Sequence, residues 1–156
     1  FADTFRARWL DGMRAKLGLF THEDGDRELA TSLLTAMKAD RADFTAAFRD
    51  LDPLAPPDAP SASPFHAWTQ RWQARLDRQP QTRQQARERM LRHNPAVIAR
   101  NAHVEHALSA ATQSDDLGPL HRLLQALANP YQDGPDQQPY RTPPAPMPGY
   151  RTFCGT

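Results

Sequence analysis

The side chains able to do chemistry are sparse in this chain and stand far apart. His103, Glu105 and His106 lie close together, with His121 some way on. Histidines three apart share a helix face and could offer imidazole nitrogens to a metal. Zinc hydrolases space theirs four apart around a glutamate, and no third or fourth ligand is fixed here, so surface histidines are the preferred reading. His22-Glu-Asp-Gly-Asp26 is acidic and turn-like. A calcium loop needs oxygen ligands at alternate positions and a closing glutamate at its twelfth, which this run lacks. It reads as a capped turn ahead of a helix. Asp43, Asp50 and Asp52 supply carboxylates without a partner at hydrolase spacing, and neither a nucleophile elbow nor a glycine-rich phosphate loop occurs. The sequence therefore assigns no catalytic, cofactor-binding or metal-binding residue.

Two features remain. Between 71 and 100 stand Arg71, Arg75, Arg78, Arg83, Arg87, Arg89, Arg92 and Arg100 against Asp77 and Glu88, with Trp68 and Trp72 alongside. A basic strip with aromatics can bind nucleic acid. Both tryptophans fall on an apolar stripe, however, so a solvated or ion-pairing face is preferred. Cys154 is the only thiol and stands third from the end, between Phe153 and Gly155. An accessible thiol on a proline-rich tail can reach a distant cysteine and form a reversible disulfide. An incidental exposed cysteine fits the position equally well.

The elements that must place these groups are all helical. The first stripe is Phe5, Trp9, Leu10, Met13 and Leu17, closed by Gly18 as a left-handed cap. Asp26 is placed to cap a second helix through Leu29, Leu33, Leu34 and Met37, and Asp43 a short third one through Phe44, Phe48 and Leu51. Phe65, Trp68, Trp72 and Leu76 form the next stripe, followed by a helix from about Thr82 to Arg92. Asn94-Pro95 reads as a cap and first residue of a helix running through Val97, Ile98, Val104 and Leu108. Ser114 or Asp115 then opens a leucine-rich helix that Asn129-Pro130 ends.

Fifteen prolines divide the chain. The expected organisation is a helical segment 1–52, a mobile Pro-rich connector 53–64, a helical bundle 65–130, and a Pro-rich tail 131–156. Tyr140, Tyr150 and Phe153 would pin that tail along a surface. The chain opens directly on an amphipathic helix and is expected to begin within a longer protein. Charges nearly cancel, with 19 Lys and Arg against 18 Asp and Glu. Electrostatics therefore name no partner, and no apolar run is long enough for a membrane helix. A single cysteine, Arg-dominated cations and Ala/Pro richness make a bacterial cytoplasmic protein the expectation.

Several stretches together resemble the selenoprotein O family, pseudokinase-like protein adenylyltransferases. They are Lys16-Leu-Gly-Leu19, Asp43-Phe-Thr-Ala-Ala-Phe-Arg-Asp-Leu51, Arg89-Met-Leu-Arg-His-Asn-Pro-Ala-Val-Ile-Ala-Arg-Asn101 and Leu120-His-Arg-Leu-Leu-Gln-Ala-Leu-Ala-Asn-Pro-Tyr131. Their order and spacing match the family's last third. Ala99 replaces a usual Leu, and Gly155-Thr156 a common Ser-Ser ending. The resemblance implies an all-α, irregular bundle extending the C-lobe of a kinase-like fold, in a parent enzyme that transfers AMP from ATP, with Mg²⁺, to protein hydroxyls. It implies that the catalytic and nucleotide-binding residues lie outside these 156 residues, so none is carried over. It also implies that Cys154 matches the family's redox-active terminal Cys or selenocysteine, which bridges to a cysteine near the activation segment. The implied partners are the upstream kinase-like portion and protein substrates, with neither nucleic acid nor membrane. Two alternatives differ in class: a non-catalytic helical protein-interaction domain using the Trp68/Arg71 face, and nucleic-acid binding through 71–100.

Overall fold

The computed structural model describes residues 2–56 and 66–143. Among them the secondary structure is helical, without strands. The order is α1 (Ala2–Lys16), α2 (Asp26–Ala39), α3 (Phe44–Arg49), α4 (His66–Leu76), α5 (Arg83–His93), α6 (Asn101–Ser114), α7 (Gly118–Ala128) and α8 (Gln138–Arg141). The described residues fall into two compact units, one within Phe1–Ala96 and the other within Val97–Thr156. None of these helices is long and apolar enough to cross a membrane.

In the first unit the helix stripes meet in one core. Met13 and Leu17 from the end of α1, Leu29, Leu33 and Met37 from α2, Phe48 from α3, Trp68, Trp72 and Leu76 from α4, and Met90 from α5 are all buried there. The two indoles stack at 5.7 Å between centroids. Their N–H groups could not be left unpaired in such a place, and each finds a backbone carbonyl: Trp72 donates to Leu17 at 2.9 Å and Trp68 to Leu29 at 2.8 Å. Truncating a buried tryptophan of this kind to alanine typically costs about 3–5 kcal/mol. Trp68 and Trp72 are core, so neither offers a recognition surface.

Several local expectations hold. Asp43 caps α3, accepting from the Ala46 N–H at 2.8 Å. Thr82 and Gln85 form a reciprocal capping box that starts α5. Gly18 has φ +71°. It lies so close to α5 that an added Cβ would stand 3.0 Å from both the Cβ and the carbonyl oxygen of Ala86. Sterics demand glycine twice at this position, once from the backbone and once from the neighbouring helix.

Three expectations are corrected. Asp26 is the first residue of α2 rather than its cap; Gly25 holds the cap position and provides no side-chain bond. Asn94-Pro95 does not begin a helix. Asn94 ends α5 in an extended conformation, residues 95–100 are non-helical, and α6 starts at Asn101. The Asn94 amide is already used at both ends, donating to the Lys16 carbonyl at 2.8 Å and accepting from Lys16 Nζ at 3.3 Å. Proline after it also disfavours helical geometry at residue 94. Ser114 and Asp115 close α6 instead of opening α7. Asp115 takes the left-handed region at φ 53°, and Asp116 accepts from the Gly118 N–H at 2.8 Å.

The start of the 53–64 connector is anchored. Pro53 is buried, its carbonyl accepts from Arg83 at 2.9 Å, and that of Ala55 accepts from Gln73 at 2.9 Å. In the second unit α6 packs on α7, and Ala107 of α6 and Leu123 and Ala126 of α7 are buried. The start of the tail lies along α7. Gln137 is buried and donates to the Ala126 carbonyl at 3.2 Å, and Gln125 reaches Asp136 at 3.0 Å.

Gly18→Ala is expected to lower the unfolding free energy by about 2 kcal/mol, since left-handed backbone and overpacking both oppose it. Urea unfolding measures this. A loss below about 0.5 kcal/mol would mean that the α1–α2 turn relaxes without resistance.

Candidate functional site

The densest set of charged side chains lies where the acidic turn 22–26 meets α1 and α4. Asp26 has no exposed side-chain surface. A buried carboxylate needs fixed donors around it, and Asp26 has three. Arg75 Nε donates to Oδ1 at 2.7 Å, Arg14 Nε to Oδ2 at 2.7 Å, and the Glu23 N–H to Oδ2 at 3.0 Å. Arg75 is itself almost wholly buried, and it also donates to the Thr21 carbonyl at 2.8 Å. Glu23 lies 3.2 Å from Arg75 and accepts a two-pronged contact from Arg78, whose Nη2 stands 2.7 Å from Oε2.

Burial alone would raise the Asp26 carboxyl. The hydrogen bonds from Arg75, Arg14 and the Glu23 N–H together outweigh it and hold the group below the ordinary carboxylate range. Arg78 similarly holds Glu23 low through its hydrogen bond. Beside this cluster opens a cavity of about 280 Å³, lined by Gly25, Glu28, Leu29, Arg71, Arg75 and Arg78. Each of its three guanidinium groups faces a carboxylate, because Arg71 pairs with Glu28 at 3.6 Å. The cluster fixes three helices.

The basic strip is largely consumed inside the chain. Besides Arg71, Arg75 and Arg78, Arg83 grips Asp77 with two bonds at 2.9 and 2.8 Å, and Arg89 lies 4.6 Å from the centre of the Phe20 ring. Sequence reasoning saw the acidic turn and the basic strip separately and did not join them. The available signal was their charge complementarity, though nothing local gave the register.

The histidines go separate ways. His103 is partly buried and meets the Tyr140 ring edge-on at 5.0 Å, while His106 and His121 are exposed. Burial first, then the nearby Arg100 and His106, push His103 below the usual histidine range. Among the described residues no three of His, Cys, Asp and Glu come together as a metal-holding group. Tyr140 thus pins the tail as the sequence predicts. Cys154, Tyr150 and Phe153 lie outside the described residues.

Residues 1–128 match the family described as protein adenylyltransferase SelO. The chain belongs to the SelO family. Relatives of this SelO chain include proteins named protein nucleotidyltransferase YdiU. The one from Syntrophotalea carbinolica is 48% identical across 100% of this chain and 32% of its own length. That of Geobacillus kaustophilus is 46% identical across 97% of this chain and 32% of its own. That of Rhizobium etli is 43% identical across 100% and 33%. The SelO chain therefore spans about a third of the length of the curated relatives it matches.

Because the folded Asp26 carboxyl sits below its unfolded value, its contribution is present above the ordinary carboxylate range and is lost as pH falls through the folded value. Asp26→Asn is expected to cost about 3 kcal/mol at neutral pH, since it strands two arginines whose partner is buried. It should also flatten the acid limb of stability against pH. Denaturant titrations from neutral to acid pH measure both, and an unchanged acid slope would show that other carboxylates carry it.

Proposed function

We propose that this chain is the helical C-terminal portion of a SelO-type protein adenylyltransferase, which moves AMP from ATP to Ser, Thr or Tyr hydroxyls of proteins. Family membership carries this reading, supported by relatives named as nucleotidyltransferases and by the third of their length that the chain spans. In that transfer the protein hydroxyl oxygen bonds to the α-phosphorus of ATP. Pyrophosphate leaves and the hydroxyl proton is lost to a base. Among the described residues no three of His, Cys, Asp and Glu come together as a metal-holding group. In this reading ATP and Mg²⁺ belong to the rest of the enzyme.

The role proposed for the chain itself is physical. Its first unit extends the C-lobe of a kinase-like fold and keeps it rigid. Two features favour such a neighbour: residues 2–8 of α1 are exposed throughout, and Phe5 in their midst is 63% exposed. An amphipathic helix with its leading turns uncovered is unstable in water, because helices depend on tertiary packing of their apolar face. The proposed partners are the kinase-like portion of the same protein and its protein substrates, in the bacterial cytoplasm. Cys154 is proposed as a redox-regulatory thiol that bridges to a cysteine outside this chain. Forming that S–S bond passes two electrons and two protons from the two thiols to a disulfide oxidant, which leaves as a pair of thiols.

Intact mass of the full-length protein after incubation with Mg-ATP tests the enzymatic reading. An added adenylyl group is expected, with its loss when residues 1–156 are removed. No added mass and no ATP binding would overturn the proposal in favour of a helical interaction domain. Peptide mapping of the oxidised full-length protein without reductant should show Cys154 in a disulfide. A free Cys154 thiol under those conditions would end the redox proposal.

A further inference from the structure

Helix α7 carries more apolar surface than α6 covers. Pro119, Leu123 and Ala126 are buried. Leu117, Leu120, Leu124 and Leu127 recur at spacings of three and four, which places them on a second face about a third of a turn around the helix. Leu117 is 47% exposed and Leu124 55% exposed, and Leu120 and Leu127 are only half-buried. His121, Arg122 and Gln125 occupy the remaining, polar side. The apolar arc thus covers about half the circumference, wider than the stripe of about 100° with which a surface helix faces one core. A helix with two apolar faces is built to be packed from two directions.

The alternating three-four spacing of the uncovered leucines is that of a seam accepting a second helix, with side chains interleaving between the ridges. All four lie within residues 1–128, the stretch matched to the SelO family, so the seam falls in the part of the chain that matches the family. About two-thirds of the length of the curated relatives lies outside this chain. We propose that the Leu117/Leu120/Leu124/Leu127 seam of α7 is the docking surface for an apolar helix from the remainder of the same polypeptide. This rests on the reading of the chain as one part of a longer SelO-type protein. It names the contact by which the second unit is held.

The test is thiol labelling in the full-length protein, read by peptide mass at the substituted position. Leu124→Cys places the thiol on the seam, and Arg122→Cys places it on the polar side. Leu117→Cys, at the end of the seam, serves if Leu124→Cys does not fold. The seam thiol should react at least about tenfold more slowly than the Arg122→Cys thiol in native buffer, and equally fast in denaturant. This protection should survive a hundredfold dilution of the protein, on the order of what separates intramolecular from weak intermolecular contact. Equal native rates would overturn the proposal by showing an uncovered seam. Protection lost on dilution would overturn it in favour of a second copy of the chain. Adenylylation of the unsubstituted protein is scored separately, so failure of the enzymatic reading and failure of this contact give different results.

Discussion

The buried carboxylate of Asp26 is the constraint on which the first unit turns. An ionised group with no exposed surface is tolerated only where fixed donors replace its lost water. The donors come from Arg14 on α1, Arg75 on α4 and the backbone of the turn before α2. Three segments distant in sequence are thereby held to one angular arrangement. The apolar core beneath tolerates small adjustments among Leu, Met and Trp. The ion cluster does not, because each guanidinium has few directions in which it can donate. Packing supplies most of the stability, and the cluster selects which packing is adopted.

The same logic recurs where α1 and α5 end. Lys16 Nζ donates to the His93 carbonyl at 3.0 Å and sits 5.5 Å from the Phe48 ring centre, and its backbone carbonyl takes the Asn94 amide. Arg49 donates to the Leu91 and Asn94 carbonyls at 3.2 and 2.8 Å. Helix ends leave carbonyls without partners, and here cations from other helices complete them. The half-burial of Lys16 pushes its ammonium below the ordinary lysine range, and its hydrogen bonds keep it anchored to the junction. Polar contacts in this unit thus join helices to one another more than they face solvent.

The polar side chains of this unit are largely taken up in holding it together. Arginines that looked free in the sequence are committed to carboxylates, carbonyls and an aromatic ring. The two tryptophans are committed to the core. Among the large apolar side chains left exposed are Phe5 in the leading turns of α1, in one unit, and Leu117 and Leu124 on α7, in the other. These are the two surfaces at which the proposed packing against the rest of the protein would occur.

Sequence alone determined whatever depends on neighbours within a helical turn. The stripes of α2 and α4, the inward end of the α1 stripe, a helix from about Thr82, the Asp43 cap and the left-handed Gly18 were all legible, since their physics closes over three or four residues. Tertiary structure decided the rest. Asp26 and Asn94 each look like a cap, and either could cap if nothing else wanted its side chain. Arg75, 49 residues beyond Asp26, and Lys16, 78 residues before Asn94, offer bonds that win. Which of the arginines pair, and with which acids, was equally hidden. Local propensities differ by about 1 kcal/mol, whereas a buried charge left unpaired costs several. Where the two compete, the distant partner sets the outcome, and a sequence read a few residues at a time does not contain it.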